Sequence, residues 1–273
     1  MTIRCTLSRI GLALLVLAGA GQALAAGKCE HLIATGNPDQ PPYLWRDPQH
    51  PQRLIGASAD LLEALGKELG VKVEVIHAGK RSAAEADALN GRVDLLAGSY
   101  LTPARLEQFD FVHPAYLEVP VQVWAQRDKA PLFTRLADLA SHNGLAVGAG
   151  SYAAPLQALA EQQFKARRTG KADEALQQLQ QGRVDYVLLE RQAGAAWVER
   201  LGLGAELQPL EPALASEPLY LALSHNSACN DPWLRGQLAR KMTELRDAGL
   251  PQALLQRNLQ RWQAQQLQQP ATP

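Results

Sequence analysis

The chain has 273 residues, of which 47% are hydrophobic, enough to build either two small α/β lobes or one large domain. Its 27 Lys and Arg balance 27 Asp and Glu, which gives no support for nucleic acid or an anionic membrane as a partner. The six histidines are scattered, with no H-E-x-x-H pair, so neither a metal site nor a cofactor is expected.

The first residues read as a secretory signal peptide. Arg4 and Arg9 supply the positive end, Ile10–Ala18 an apolar core too short to span a bilayer, and Ala23-Leu24-Ala25 an A-x-A cleavage site. Loss of residues 1–25 leaves 25 basic residues against 27 acidic ones in an exported, periplasmic chain. A lipoprotein is not expected, because Lys28 precedes Cys29 where a small residue is needed. Cys5 leaves with the leader, so Cys29 and Cys229 remain. In an oxidising compartment an even pair suggests one disulfide joining the mature N-terminus to a late segment; two separate buried thiols are the alternative.

Leu32–Thr35 reads as a short strand, and residues 36–45, with three prolines, as a fixed loop ending in Tyr43 and Trp45. These two aromatics either pack beneath the loop or wall a ligand. Ser58 is expected to cap a helix over Ala59–Leu69, whose Leu61, Leu62, Leu65 and Leu69 share a face, and Gly70 ends it. A strand over Val71–Ile76, a helix over Ser82–Leu89 and a strand over Val93–Ala97 follow. Alternation of this kind marks a parallel, doubly wound α/β unit. Thr102 and Pro103 then open another helix, as N-cap and first helical residue. Arg105 falls in its first turn, beside free N–H groups, where it either reinforces an anion site or pairs with Glu107 or Asp110.

An internal repeat indicates a second unit. NGRVDLL at Asn90–Leu96 recurs as QGRVDYVL at Gln181–Leu188, each copy after a helical pattern and before an apolar strand. Between them a strand at Leu145–Gly148 turns toward a helix near Ser151 and Tyr152. The G-x-G there lacks the third glycine of a dinucleotide site. Tyr116–Gln126 reads as a crossing strand out of the first lobe and Pro218–Ser224 as its return, before amphipathic helices over Asp231–Gly249 and Pro251–Trp262.

The block GRVDLLAGSYLTPARLEQFDFVHPAY, Gly91–Tyr116, resembles the signature of family 3 periplasmic solute-binding proteins of the polar amino-acid type. Asp94, Thr102, Arg105, Phe111, Pro114 and Tyr116 keep its spacing, Gly56–Leu62 resembles its G-x-x-x-D-L stretch, and Trp262 its C-terminal tryptophan. The resemblance implies two doubly wound lobes joined by two hinge crossings, of the type II periplasmic binding-protein kind. Lobe 1 would hold residues 26–118 and 219–262, lobe 2 residues 119–218, and residues 263–273 would form a disordered tail.

The resemblance also implies a binding site. Arg105 corresponds to the arginine that grips a ligand α-carboxylate, with Gly98, Thr102 and Tyr100 nearby. Tyr100 stands where a Ser or Thr is usual. Ser151 and Tyr152 would add hydroxyls from lobe 2, and Glu190, in place of an Asp, would meet a ligand ammonium or else pair with Arg191 or Arg183. Asn37 replaces an acid of the first loop, and Tyr43, Trp45 and Ile76 would shape the side-chain end. The implied protein is a monomer that binds an amino-acid-like ligand and serves a separate ABC permease or membrane sensor. An enzyme on the same scaffold, resembling cyclohexadienyl dehydratases, is the other reading; its acid would fall near Ala193, where no carboxylate stands. A scaffold that has lost its ligand is a third, opposed by the presence of both Arg105 and Glu190.

Overall fold

The computed structural model describes residues 29–131, 136–148, 167–169 and 171–268. The leader, Ser151 and Tyr152 lie outside the described residues. The first lobe begins with β1 (His31–Thr35). The proline-rich loop after it holds β2 (Asp39–Gln40), β3 (Leu44–Arg46) and β4 (Leu54–Ile55), which pair antiparallel as a small sheet of their own. Next come α1 (Ala57–Leu69), β5 (Lys72–Val75), α2 (Arg81–Leu89), β6 (Leu95–Tyr100), the short α3 (Pro103–Leu106) and the long β7 (Phe109–Gln126).

The second lobe contains a 3-10 turn at Leu136–Ser141, β8 (Gly144–Val147), β9 (Arg167–Thr169), α4 (Ala172–Gln180), β10 (Tyr186–Glu190) and α5 (Arg191–Arg200). The chain returns along β11 (Leu207–Ser224) and ends in α6 (Pro232–Asp247) and α7 (Leu250–Gln268). Eight strands form one sheet in the order β5-β1-β6-β11-β7-β10-β8-β9. Its two flanks are parallel, as the βαβ pattern requires. The antiparallel pair β7 and β11 runs from one lobe into the other, with register shifts between Leu210 and Ala215 and between Leu219 and Leu221. These are the two hinge crossings.

Apolar periodicity accounts for the helix faces. On α1, Leu61, Leu62, Leu65 and Leu69 are all buried, each burial stabilising by about 1.5–3 kcal/mol relative to exposure. Ala172, Ala175, Leu176 and Leu179 do the same for α4 under lobe 2. The start of α1 differs from expectation. Its N-cap is Gly56, at φ 135°, where an added Cβ would lie 2.4 Å from the Tyr43 carbonyl oxygen. Ser58 sits inside the helix and its hydroxyl bonds the Tyr116 hydroxyl at 2.7 Å. Residues 263–268, expected in the tail, continue α7 instead, through Ala, Gln and Leu, all good helix formers.

The two copies of G-R-V-D do the same structural job. Gly91 and Gly182 have φ of 68° and 69°, and each ends a helix. The following Asp then receives a backbone N–H from the neighbouring parallel segment: Ile33 N–H donates to Asp94 Oδ2 at 2.8 Å, and Asn143 N–H to Asp185 Oδ2 at 2.7 Å. Strand β6 begins at Leu95, two residues later than expected, because Val93 and Asp94 are used in this turn. Cys29 and Cys229 form a disulfide across 200 residues, tying the start of lobe 1 to the loop before α6.

Candidate functional site

A cavity of about 720 Å³ opens between the lobes, at the carboxyl ends of β6 and β10. Strand ends that face one another across a hinge are where open α/β sheets place ligands. Lobe 1 contributes Gly36, Asn37, Asp39, Gln40, Gly98, Ser99, Tyr100, Arg105 and the first turns of α2; lobe 2 contributes Gly148, Lys171, Leu189, Glu190, Ala193 and Trp197.

Arg105 is held by its helix and by one acid. Thr102 caps α3 by accepting the Arg105 N–H, and the guanidinium donates to the Tyr100 carbonyl at 3.2 Å and to Glu85 Oε1 at 2.6 Å. Glu85 is shared, since Arg81 Nε donates to the same oxygen from one turn earlier in α2. Burial pulls the Arg105 pKa below its ordinary value, and the Glu85 carboxylate opposes that shift. Two guanidiniums therefore share one carboxylate here, and Lys80, the residue before α2, also lines the cavity.

Glu190 ends β10 and is the N-cap residue of α5, with 6% of its surface exposed. Its partners come from the opposite lobe and are neutral. Gln40 Nε2 donates to both carboxylate oxygens at 2.7 Å, and the Tyr100 hydroxyl donates to Oε1. Burial raises the Glu190 pKa above the ordinary carboxylate range, and these hydrogen bonds lower it again in part. Beneath it, burial and the same carboxylate push the Tyr43 hydroxyl pKa up. The lobes touch again where Trp197 Nε1 donates to the Asp39 carbonyl, and where Trp45, Ile55, Ala196 and Trp262 form one apolar cluster.

Residues 32–259 match the model of the bacterial extracellular solute-binding proteins, family 3. The chain belongs to that family. A histidine kinase sensor domain with similarity to periplasmic binding proteins has a TM-score of 0.70 to it at 24% identity, over 83% of this chain and 95% of its own. The amino acid ABC transporter substrate-binding protein AbpA of Streptococcus pneumoniae, bound to L-arginine, scores 0.69 at 20% identity over 85% and 96%. The GluR0 ligand-binding core in complex with L-glutamate scores 0.68 at 20% identity over 85% and 98%. At such identities these likenesses show the fold alone. None of the curated proteins matches the chain.

Within this family 3 scaffold the structure brings Asn37, Gly98, Tyr100, Arg105 and Glu190 together around the cavity. Four expected site residues do not line it. Thr102 is occupied in capping α3. Tyr43 lies 1% exposed in the lobe 1 core. Trp45 is swung by β3 toward the C-terminal helix, where it packs edge-on against Trp262 and donates to Gln265. Ile76 packs in the cluster around Val93 and Phe111. Arg191, one of the two arginines expected as an alternative partner of Glu190, pairs with Glu211 instead, while the positive field of Arg81 acts on Glu190. Asn37 uses its side-chain oxygen to accept the Asp39 N–H at 3.2 Å, closing the turn.

Sequence reasoning missed Gln40, Arg81, Glu85 and Ser99. Arg81 and Glu85 carried a weak signal as an i,i+4 pair opening a helix. Ser99 lies 5% exposed, and its hydroxyl has no hydrogen-bond partner among the described residues. Nothing local marks Gln40, whose partner is 150 residues away.

Proposed function

We propose that this chain is a periplasmic solute-binding protein that closes on an amino acid or similar small carboxylate and delivers it to a separate ABC permease or to a membrane sensor. The observation that carries the reading is Arg105 at the inter-lobe cavity, a guanidinium whose carboxylate partner is shared and partly exposed. A bidentate carboxylate is the natural occupant of such a fork. Family membership, the signal-peptide pattern of the first 25 residues and likeness to both a transporter receptor and a kinase sensor domain support the two destinations. Lobe 1 would comprise residues 26–118 and 219–262 and lobe 2 residues 119–218, with closure about β7 and β11.

The dehydratase-like reading has one observation in its favour. Burial keeps the Glu190 carboxyl protonated to higher pH than an ordinary glutamate, as a general acid requires. Against it, Tyr100 and Gln40 cover that carboxyl, and Ala193 occupies the position where the family's acid is expected. Loss of prephenate on incubation with the protein would establish it.

Thermal unfolding of the mature, refolded protein against amino acids, polyamines, dicarboxylates and prephenate tests the binding reading. A ligand at 100 times its Kd stabilises by about 2.7 kcal/mol, a plain shift in Tm. The shift should vanish in Arg105→Ala, because truncating one side of a buried charge pair costs about 2–5 kcal/mol. A shift retained in full by that variant would contradict the assignment.

A further inference from the structure

We propose that the cleft takes a small carboxylate without an α-ammonium group, a hydroxy- or keto-acid rather than an α-amino acid. The proposal rests on the reading above, that Arg105 anchors a ligand carboxylate. It begins from the opposite end of the cavity. An amino-acid site needs an anion free to meet the ligand ammonium, and Glu190 is not free. A carboxylate has about four acceptor positions, and Gln40 and Tyr100 already occupy three of them. Both donors come from lobe 1, so the group also joins the lobes. Tyr100 is itself only 3% exposed, and its ring and the Gln40 amide lie between Glu190 and lobe 1. An ammonium is left about one acceptor position on Glu190, and any fuller contact would require charge-assisted hydrogen bonds to a buried group to break.

Of the other described carboxylates that line the cavity, two are paired with cations. Glu85 is shared between Arg81 and Arg105, and Glu174 is paired with Lys171. Asp39 is raised in pKa by burial and by the neighbouring Asp173 carboxylate, against the weaker opposing fields of His77, Lys171 and Arg200. Around Arg105 the described charges lean positive, with Arg81 and Arg105 sharing the one carboxylate of Glu85. An anion without a compensating positive charge suits that balance better than a zwitterion. Ser99, whose buried hydroxyl has no hydrogen-bond partner among the described residues, can donate to a keto or hydroxyl oxygen on the adjacent carbon.

The test is titration of the full mature chain with matched sets: L-glutamate, 2-hydroxyglutarate and 2-oxoglutarate, and L-leucine with its 2-hydroxy and 2-oxo analogues. The expected result is that, in each set that binds, at least one analogue binds more tightly than the amino acid by about tenfold or more. An amino acid that binds as tightly as both its analogues, or more tightly, overturns the proposal while leaving the carboxylate reading intact. No binding by any member, or binding that Arg105→Ala leaves unchanged, removes the carboxylate reading and the proposal with it. Gln40→Leu combined with Tyr100→Phe uncovers Glu190 and should move the preference toward the amino acid by about tenfold. An unchanged preference in a double variant that still unfolds cooperatively would show that the covering of Glu190 does not set selectivity.

Discussion

The cavity has two charged ends, and they are held in opposite ways. Arg105, on lobe 1, is paired with a carboxylate from its own lobe that is 34% exposed and has a second guanidinium to fall back on. Glu190, on lobe 2, is buried, and its hydrogen-bond partners among the described residues are neutral donors from across the cleft. The first pairing can be exchanged for a ligand at little cost, because Glu85 keeps Arg81. The second cannot be exchanged without parting the lobes. A charge in a cleft is therefore a ligand contact only when its resident partner can leave, and residue type alone does not say which charges meet that condition.

The largest effect on the Glu190 end should come from Tyr100→Phe. It removes a hydrogen bond to a charged, buried group, and urea unfolding should show a loss of about 1.5–3 kcal/mol. A change near zero would mean that the hydroxyl is not needed there. A smaller effect is the pH dependence. Burial raises the Glu190 and Asp39 pKa values, so the folded chain holds protons that the unfolded chain has released. Their contribution to stability is complete at or below the ordinary carboxylate pKa, near 4.5 for Glu, and is lost as pH rises through the raised values. Unfolding measured from pH 4.5 upward should show that decline, and Glu190→Gln should flatten it; an equal slope in both proteins would separate Glu190 from the effect.

The smallest effects compare the lobes at their matching turns. Gly182→Ala meets open space and strains only a left-handed backbone, costing about 1 kcal/mol. Gly91→Ala has the same backbone and would also place its Cβ 2.3 Å from the Asn226 carbonyl oxygen, so it should cost more. Equal losses would mean that the loop carrying Asn226 yields freely.

These turns also show what a sequence can disclose. The block Gly91–Tyr116 and the repeated G-R-V-D disclosed the two-lobed fold, and the pair Cys29 and Cys229 the disulfide, because each depends on local spacing or on a simple count. The position of Arg105 was legible for the same reason: Thr102 and Pro103 start its helix. What stayed hidden depends on pairs remote in sequence. Gln40 meets Glu190 across 150 residues, and Trp45 meets Gln265 across 220. No periodicity in either segment records the partner. Tyr100 was noticed as a departure from the family pattern, but its target, 90 residues away in the other lobe, came only from the structure.

The central claim is that Arg105 anchors the ligand and that Glu85 is the carboxylate it displaces. Calorimetric titration of whichever carboxylate stabilises the protein, into the native chain, Glu85→Gln and Arg105→Ala, tests both halves together. Removing the resident carboxylate should tighten binding by about tenfold, as expected when an internal competitor for a charged site is lost, and Arg105→Ala should abolish it. Binding that is undiminished in Arg105→Ala, or weaker in Glu85→Gln than in the native chain, would contradict the account.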